Sequence, residues 1–345
     1  MLRNAIFALG SLSLLAGCAI HPAPEDVTGV DTVDIVKQIR CETREALTQL
    51  IKVKLEDWAN RGSPEAARLS QQYASDPETI SDFGPGQFPG PEYVEVRRFI
   101  KVFAETAIAY NFELTMTENN DLTTDIGLVR PLLSPKVTLG ISAGAKRKRS
   151  NLRTFTTADT FGYLISQLNR KNRYDEHYCD GKVVRENYIY PLSGRVGIDK
   201  TVVTFVELSV FGSLGGEKGK GPPTMADKLT FTTVVNISAN PKIEFTPVTS
   251  AFQLASAGLN ANADRTDTHQ VSVGLSLGDS AMADLGALRT FGFSPERGPM
   301  RSPAPVRYGL YHGERVTGGG TPAEQRAVEA IDQLKRRELQ LIPPP

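Results

Sequence analysis

The spacing of apolar residues predicts several helices. From Asp31 onward, apolar side chains recur at intervals of three and four residues, at Val33, Val36, Ile39, Leu47, Leu50, Ile51, Leu55 and Trp58. This spacing predicts a long N-terminal amphipathic helix over residues 32–60, with Asp31 as its N-cap and Gly62 as its stop. Shorter helices are predicted from about Glu92 to about Glu105, over 159–169 and over 197–211.

A period of two residues replaces the helical period in four stretches. They are "IAYNFELTMT" (108–117), "KVTLGISAGA" (136–145), "LTFTTVVNIS" (229–238) and "HQVSVGLSL" (269–277). Each has a more polar partner segment across a turn: "TTDIGLV", "NLRTFTT", "KIEFTPV" and "FQLASAG". The pattern predicts an antiparallel sheet built from about four hairpins, with one face packed and the other in water. The expected fold class is α+β, with helices flanking the sheet.

The first residues carry a targeting signal. Arg3 precedes an uncharged apolar run that is too short to cross a bilayer as a helix, and the run ends at Leu15-Ala16-Gly17-Cys18. These four residues resemble the lipobox of bacterial lipoproteins, and the resemblance covers residues 1–18. It implies that the chain is cut before Cys18 and that diacylglycerol is attached to this cysteine. Ala19 in place of an aspartate then favours the outer membrane. The alternatives are an ordinary secretory signal in which the cysteine has no such role, or a buried helix.

These signals divide the chain into five segments. We expect a signal peptide at 1–17, a lipidated tether at 18–30 and an α+β domain at 31–285. A Pro/Gly-rich linker at 286–320 and a C-terminal helix and tail at 321–345 complete the chain. Thr321 and Glu324 form a capping box around a proline at the first helical position. Its helix is expected to dock on the sheet or on a partner.

Charge and cysteine content narrow the classes of function. The 345 residues include 39 Lys and Arg and 39 Asp and Glu, and this balance gives no electrostatic case for a nucleic-acid partner. Apart from Cys18, the chain has two cysteines, Cys41 and Cys179. In an oxidising compartment these two are predicted to form a disulfide, and the alternative is two separate thiols.

Two short motifs invite a functional interpretation. "GISAG" matches the G-x-S-x-G nucleophile elbow, but Ser142 lies in an alternating strand pattern with no helix after it, so we predict that it is not a nucleophile. Lys146, Arg147, Lys148 and Arg149 are the densest run of charge. They are predicted to form a solvated hairpin tip, or alternatively a contact for anionic lipid headgroups or an acidic partner.

The sequence therefore predicts a non-catalytic envelope lipoprotein that acts through protein or envelope contacts. No catalytic residue, metal site or cofactor is expected, because the four histidines lack paired spacing and no phosphate-binding loop is present. The expected location is the periplasmic side of the outer membrane, with the inner membrane or the cell surface as alternatives. Two other functions stay open: a periplasmic enzyme such as a hydrolase, and a lipid carrier or pore-associated lipoprotein.

Overall fold

The protein consists of two compact units. A computed structural model describes residues 22–23, 26, 31–130, 137–180, 194–216, 221–244, 253–292 and 320–341. The first unit comprises Met1–Gly29, Leu114–Leu152 and Thr232–Thr268. The second comprises Val30–Glu113, Arg153–Phe231 and His269–Pro345. The domain predicted at 31–285 is therefore divided between two units. The predicted signal at 1–17, Cys18 and most of the tether and linker lie outside the described residues.

The helices of the second unit largely follow the apolar spacing. Their bounds are α1 Thr32–Asn60, α2 Pro64–Ser75, α3 Val94–Ala104, α4 Phe161–Ser166, α5 Ile198–Val210, α6 Ala281–Gly292 and α7 Pro322–Leu341. Asp31 caps α1 as predicted, since its Oδ1 accepts the N–H of Asp34 at 2.8 Å. Glu324 and Thr321 form the predicted capping box of α7, where each side chain accepts the other residue's N–H.

Two helices were not predicted. The α2 helix lies in a region for which no element was predicted, and α6 continues across the predicted domain boundary at 285. Both have apolar residues at helical spacing: Ala66, Leu69 and Tyr73 are buried in α2, and Ala281, Leu285 and Leu288 in α6. The predicted start of the linker at 286 was therefore wrong, because α6 reaches Gly292.

The α+β fold class is confirmed, but the prediction of about four hairpins was wrong. The strands are β1 Ala107–Arg130, β2 Val137–Thr160, β3 Thr224–Ala239, β4 Lys242–Glu244 and β5 Gln253–Ser276. They form one antiparallel sheet in the order β2-β1-β5-β3, and β4 also pairs with β5. The expected turns within "ENND" and "AKRKRSN" are continuous strand. Three strands of 24 residues are each about 80 Å long at 3.3 Å per residue.

Within the second unit, helices cover both faces of the sheet. On one face, the Tyr110 hydroxyl of β1 donates a hydrogen bond to Thr43 Oγ1 of α1 at 2.8 Å. On the other face, α7 packs against β1 through a cluster formed by Ala107, Ala109, Ala323, Ala327 and Ile331. The C-terminal helix therefore docks on the chain's own sheet. The expectation of one wet face does not hold here, because β1 is fully buried from Ala107 to Phe112.

The close approach of α7 to the sheet depends on Gly274. A Cβ atom at this position would lie 2.0 Å from the backbone carbonyl oxygen of Ala327. We expect Gly274→Ala to push α7 away and to lower the free energy of unfolding by about 1–3 kcal/mol, the usual cost of overpacking. Urea denaturation measures this cost, and protease cleavage within α7 reports undocking. The control is Gly286→Ala in α6, where a Cβ meets nothing within 4 Å. Equal stability of both variants would contradict the prediction.

Cys41 and Cys179 form a disulfide in the second unit. Their Cα atoms lie 5.7 Å apart, and the bond joins α1 to a turn 138 residues later in the sequence. We expect non-reducing peptide mapping of the purified protein to recover the Cys41 and Cys179 peptides as one linked species. Recovery of both thiols in alkylatable form would contradict this pairing. A reduced sample provides the control, because both peptides should then separate.

Candidate functional site

The two faces of the sheet in the first unit differ in chemistry. Side chains alternate between the faces along each strand, so contacts between strands show which residues share a face. Arg149 of β2 and Arg265 of β5 both form ion pairs with Glu118 of β1. Odd-numbered residues of β2 and β5 therefore share a face with even-numbered residues of β1. We call this face A and the opposite face B.

Contacts in the second unit show which residues of β3 lie on each face. Lys228 Nζ of β3 lies 2.7 Å from Glu338 Oε2 of α7, and Ala109 of β1 packs under the same helix. Even-numbered residues of β3 therefore lie on face B with odd-numbered residues of β1, and odd-numbered residues of β3 lie on face A.

Face A has a largely aliphatic surface across four adjacent strands, interrupted by Thr124 of β1, and we call it the apolar band. Its members are Leu122, Ile126 and Leu128 of β1, Leu139, Ile141, Ala143 and Ala145 of β2, Val235 and Ile237 of β3, and Ala257, Leu259, Ala261 and Ala263 of β5. Ile141 is 51% exposed and Ile237 is 67% exposed. Soluble surfaces seldom carry large exposed side chains in such a contiguous array. The band is therefore the strongest candidate for a functional surface.

Face B is polar over the same stretch of strands. Its residues are Thr123 and Asp125 of β1, Ser142 of β2, Asn236 and Ser238 of β3, and Ser256, Asn260 and Asn262 of β5, with glycines at 127, 140, 144 and 258. Val234 of β3 departs from this pattern, since it lies on face B and is exposed. The sheet of the first unit is thus largely apolar on one face and polar on the other.

A cluster of charged side chains ends the apolar band on face A. Arg265 Nε and Nη2 donate to Asp267 Oδ1 and Oδ2 at 2.9 and 3.0 Å, and Arg265 Nη1 lies 3.4 Å from Glu118 Oε1. Arg149 pairs with the same glutamate. Burial lowers the pKa of Arg265 while its carboxylate partners raise it, and the net effect is a raised pKa. We call Glu118, Arg149, Arg265 and Asp267 the charged border.

The basic run is not a hairpin tip. Lys146 to Arg149 lie inside β2, next to the last residue of the band, Ala145. The acidic residues of β1 explain why the strand continues, because Lys146 Nζ lies 3.5 Å from Asp121 Oδ2 and Arg149 pairs with Glu118. The predicted tip was wrong for this reason. Of this run, Arg147 and Arg149 lie on face A with the apolar band, whereas Lys146 and Lys148 lie on face B.

The predicted tether reaches the charged border. Arg265 Nη2 donates to the carbonyl oxygen of Ala23 at 2.6 Å, and Asn151 Nδ2 donates to that of Pro22 at 3.0 Å. Cys18 precedes Pro22 by four residues, and such a segment spans at most about 14 Å.

Comparison with known proteins places the chain in a family. The family model described as "Uncharacterised protein y4kA" matches residues 21–284. The chain belongs to the y4kA family. The "Uncharacterized protein y4kA" of Sinorhizobium fredii (strain NBRC 101917 / NGR234) is 30% identical over 344 residues, which cover 99% of this chain and 96% of that protein. The region matched by the y4kA model includes every strand of the sheet.

The hydrolase interpretation of Ser142 gains no support in this y4kA-family chain. Ser142 lies within the continuous strand Val137–Thr160, and the next helix begins at Phe161. A nucleophile elbow instead requires a sharp turn directly before a helix. Ser142 belongs to the first unit and His269 to the second. His312 lies outside the described residues.

The described residues contain neither a metal-binding group of side chains nor a membrane-spanning helix. Over the residues described by the structure, no group of three His, Cys, Asp or Glu side chains is arranged to hold a metal ion. No helix in that part of the chain is long and apolar enough to cross a membrane.

Two buried carboxylates of the second unit, those of Asp159 and Glu42, have hydrogen-bond partners within the protein. Arg40 Nε and Nη2 donate to both carboxylate oxygens of Asp159, at 2.8 and 2.6 Å. Burial raises the pKa of Asp159, and the hydrogen bonds from Arg40 oppose this rise. Glu42 accepts the N–H groups of Val196, Gly197 and Ile198 at 2.7–3.0 Å, at the start of α5. These carboxylates join helices to each other and to the sheet, so we assign them structural roles.

A groove lies between α1 and α5 in the second unit. Its volume is about 310 Å³, and Phe211 and Val53 are among the apolar residues that line it. Lys54 Nζ lies 5.6 Å from the centroid of the Phe211 ring.

Proposed function

We propose that this chain is a non-catalytic envelope lipoprotein that inserts the apolar band of its sheet into the outer membrane. The observation that supports this function is the band itself, bounded by charge on face A and backed by polar residues on face B. A strand that crosses a bilayer exposes alternate apolar residues to lipid over about nine to eleven residues. The segments 137–145 and 255–263 each provide about nine residues before the charges of the border begin.

The dimensions agree with this function. Nine residues of strand extend about 30 Å at 3.3 Å per residue, which matches the hydrocarbon thickness of a bilayer. The basic residues Arg147 and Arg149 would then lie at the level of the headgroups, where long cationic side chains contact phosphate. The reach from Pro22 to Cys18 would bring the acyl anchor to the same interface. The lipid on Cys18 and the charged end of the apolar band would thus lie at the same membrane interface.

Among the functions left open by the sequence, this one combines the envelope-contact and pore-associated hypotheses. The enzyme hypothesis has no comparable support, because the strongest candidate nucleophile stands on a regular strand. A lipid-carrier function would require an enclosed apolar cavity, whereas the band is a flat, exposed surface.

A cysteine scan of β2 tests the proposal. Single cysteines at 139 to 145 are introduced into the mature chain carrying Cys18→Ser, and each is labelled with an environment-sensitive fluorophore in the presence of liposomes. We expect blue-shifted emission and quenching by lipid-borne spin labels at 139, 141, 143 and 145, and water-like emission at 140, 142 and 144. Water-like emission at every position would contradict membrane insertion. Labelled protein without liposomes is the control.

A further inference from the structure

The two edge strands of the sheet would carry unpaired backbone groups into the membrane if one copy of the sheet entered it alone. In the order β2-β1-β5-β3, the two outer strands are β2 and β3. Among the described strands, neither has a neighbour on its outer side. Water satisfies such backbone groups at a soluble sheet edge, but in hydrocarbon each unpaired N–H or C=O costs several kcal/mol. The β2 segment that ends at Ala145 would place a row of these groups in lipid.

The described strands of one chain are too few to pair both edges of the sheet with each other. Over the residues that the structure describes there are four long strands, whereas the smallest closed sheets in membranes contain about eight. A second copy of this chain provides strands with the same alternation of apolar and polar residues, although β3 has 16 residues and β2 has 24.

We propose that copies of this chain join edge to edge, β2 of one copy pairing with β3 of the next, and close into a membrane-spanning ring around a water-filled passage lined by face B. This inference rests on the proposed membrane insertion. Neighbouring strands in the sheet are antiparallel, so β2 and β3 run in opposite directions. Placing β3 of the next copy beside β2 therefore continues the same antiparallel alternation.

Strand direction also distinguishes this assembly from a symmetric dimer. Pairing β2 with β2 of a second copy would also be antiparallel, but the two copies would then be inverted relative to each other across the membrane. A lipid anchor on Cys18 requires every copy to enter from the same side. Only the head-to-tail pairing of β2 with β3 preserves one orientation, and head-to-tail contacts close into rings when the rotation per copy allows it.

Face B has the composition expected of a surface that lines water. Asn260 and Asn262 of β5 hydrogen-bond to each other through their side chains at 3.0 Å, and Asp125 and Ser142 lie on the same face. Facing the interior of a closed ring, these groups would remain hydrated while face A contacts lipid. The glycines at 140 and 144 have no side chains and therefore add no bulk to this face. The passage is thus suited to polar or charged solutes.

Crosslinking tests the strand pairing in the full chain. Ser142→Cys on β2 is combined in turn with cysteine at Thr232, Val234, Asn236 or Ser238 on β3, and membranes are treated with an oxidant. We expect at least one double variant to give a ladder of crosslinked oligomers and the matching single variants to remain uncrosslinked. Crosslinking of the Ser142→Cys variant with itself, or no ladder in any pair, would overturn the head-to-tail assembly.

Conductance tests the passage. Purified protein in planar bilayers is expected to form channels, and Asn262→Asp and Asn262→Lys should shift cation-over-anion selectivity in opposite directions. Channels with the same selectivity in both variants, or no channels, would overturn the inference. If the β2 cysteine scan shows lipid exposure while these tests fail, insertion stands and the ring does not. If the scan also fails, both proposals fail.

Discussion

Ile141→Arg is expected to abolish membrane insertion of the sheet. Ile141 lies at the middle of the β2 segment of the apolar band and is 51% exposed. A charged residue on a lipid-facing strand position costs about 2–4 kcal/mol at the bilayer midplane, which is roughly a 30- to 700-fold loss in the insertion equilibrium. The measurement is the fraction of Cys18→Ser protein that floats with liposomes and resists alkaline extraction.

The neighbouring residue gives a matched control for this experiment. Ser142→Arg introduces the same side chain one position along the same strand, but on face B. Because face B meets water in the proposed arrangement, this variant should float like the parent protein. Equal loss of flotation in both variants would indicate a general defect of β2. Equal retention in both would contradict the assignment of face A to lipid.

The sheet shows where sequence reasoning succeeded and where it failed. The alternation in "KVTLGISAGA" correctly predicted strand, and it placed Ser142 on a different face from Ile141. The turns were misplaced because polar, charged runs such as 146–149 usually mark loops. Here the positive charges of β2 pair with Glu118 and Asp121 across the sheet, a long-range contact that no local pattern reveals.

The missed helices were partly visible in the sequence. Ser63 caps α2 by accepting the N–H of Ala66 at 3.2 Å, and Pro64 occupies the first helical position, both of which are recognisable signals. They were overlooked beside the Pro/Gly-rich stretch that follows. The apolar band itself could not be predicted, because it depends on a strand order in which β5 lies between β1 and β3. Separate strands join into one surface only when that order is known.

Arg40→Met is expected to destabilise the second unit by about 3–5 kcal/mol at pH 7. Asp159 is 6% exposed, and both of its carboxylate oxygens accept hydrogen bonds from Arg40. Removing the arginine leaves a buried carboxylate without its charge partner, which costs far more than losing an exposed ion pair. Chemical denaturation at pH 7 measures the loss in the free energy of unfolding.

The pH dependence of this loss separates an uncompensated charge from a simple packing defect. Burial already raises the pKa of Asp159, and losing Arg40 removes the hydrogen bonds that oppose the rise. The folded variant then binds a proton more readily than the unfolded chain, so its loss in the free energy of unfolding should shrink as the pH falls from 7 towards 4.

A double variant, Arg40→Met with Asp159→Leu, should recover much of the stability at pH 7, because it leaves no buried charge. Asp57→Ala, which breaks the exposed Asp57–Arg61 pair in α1, should cost no more than about 1 kcal/mol. A pH-independent loss in Arg40→Met that the double variant does not relieve would show that the arginine stabilises the unit through packing alone.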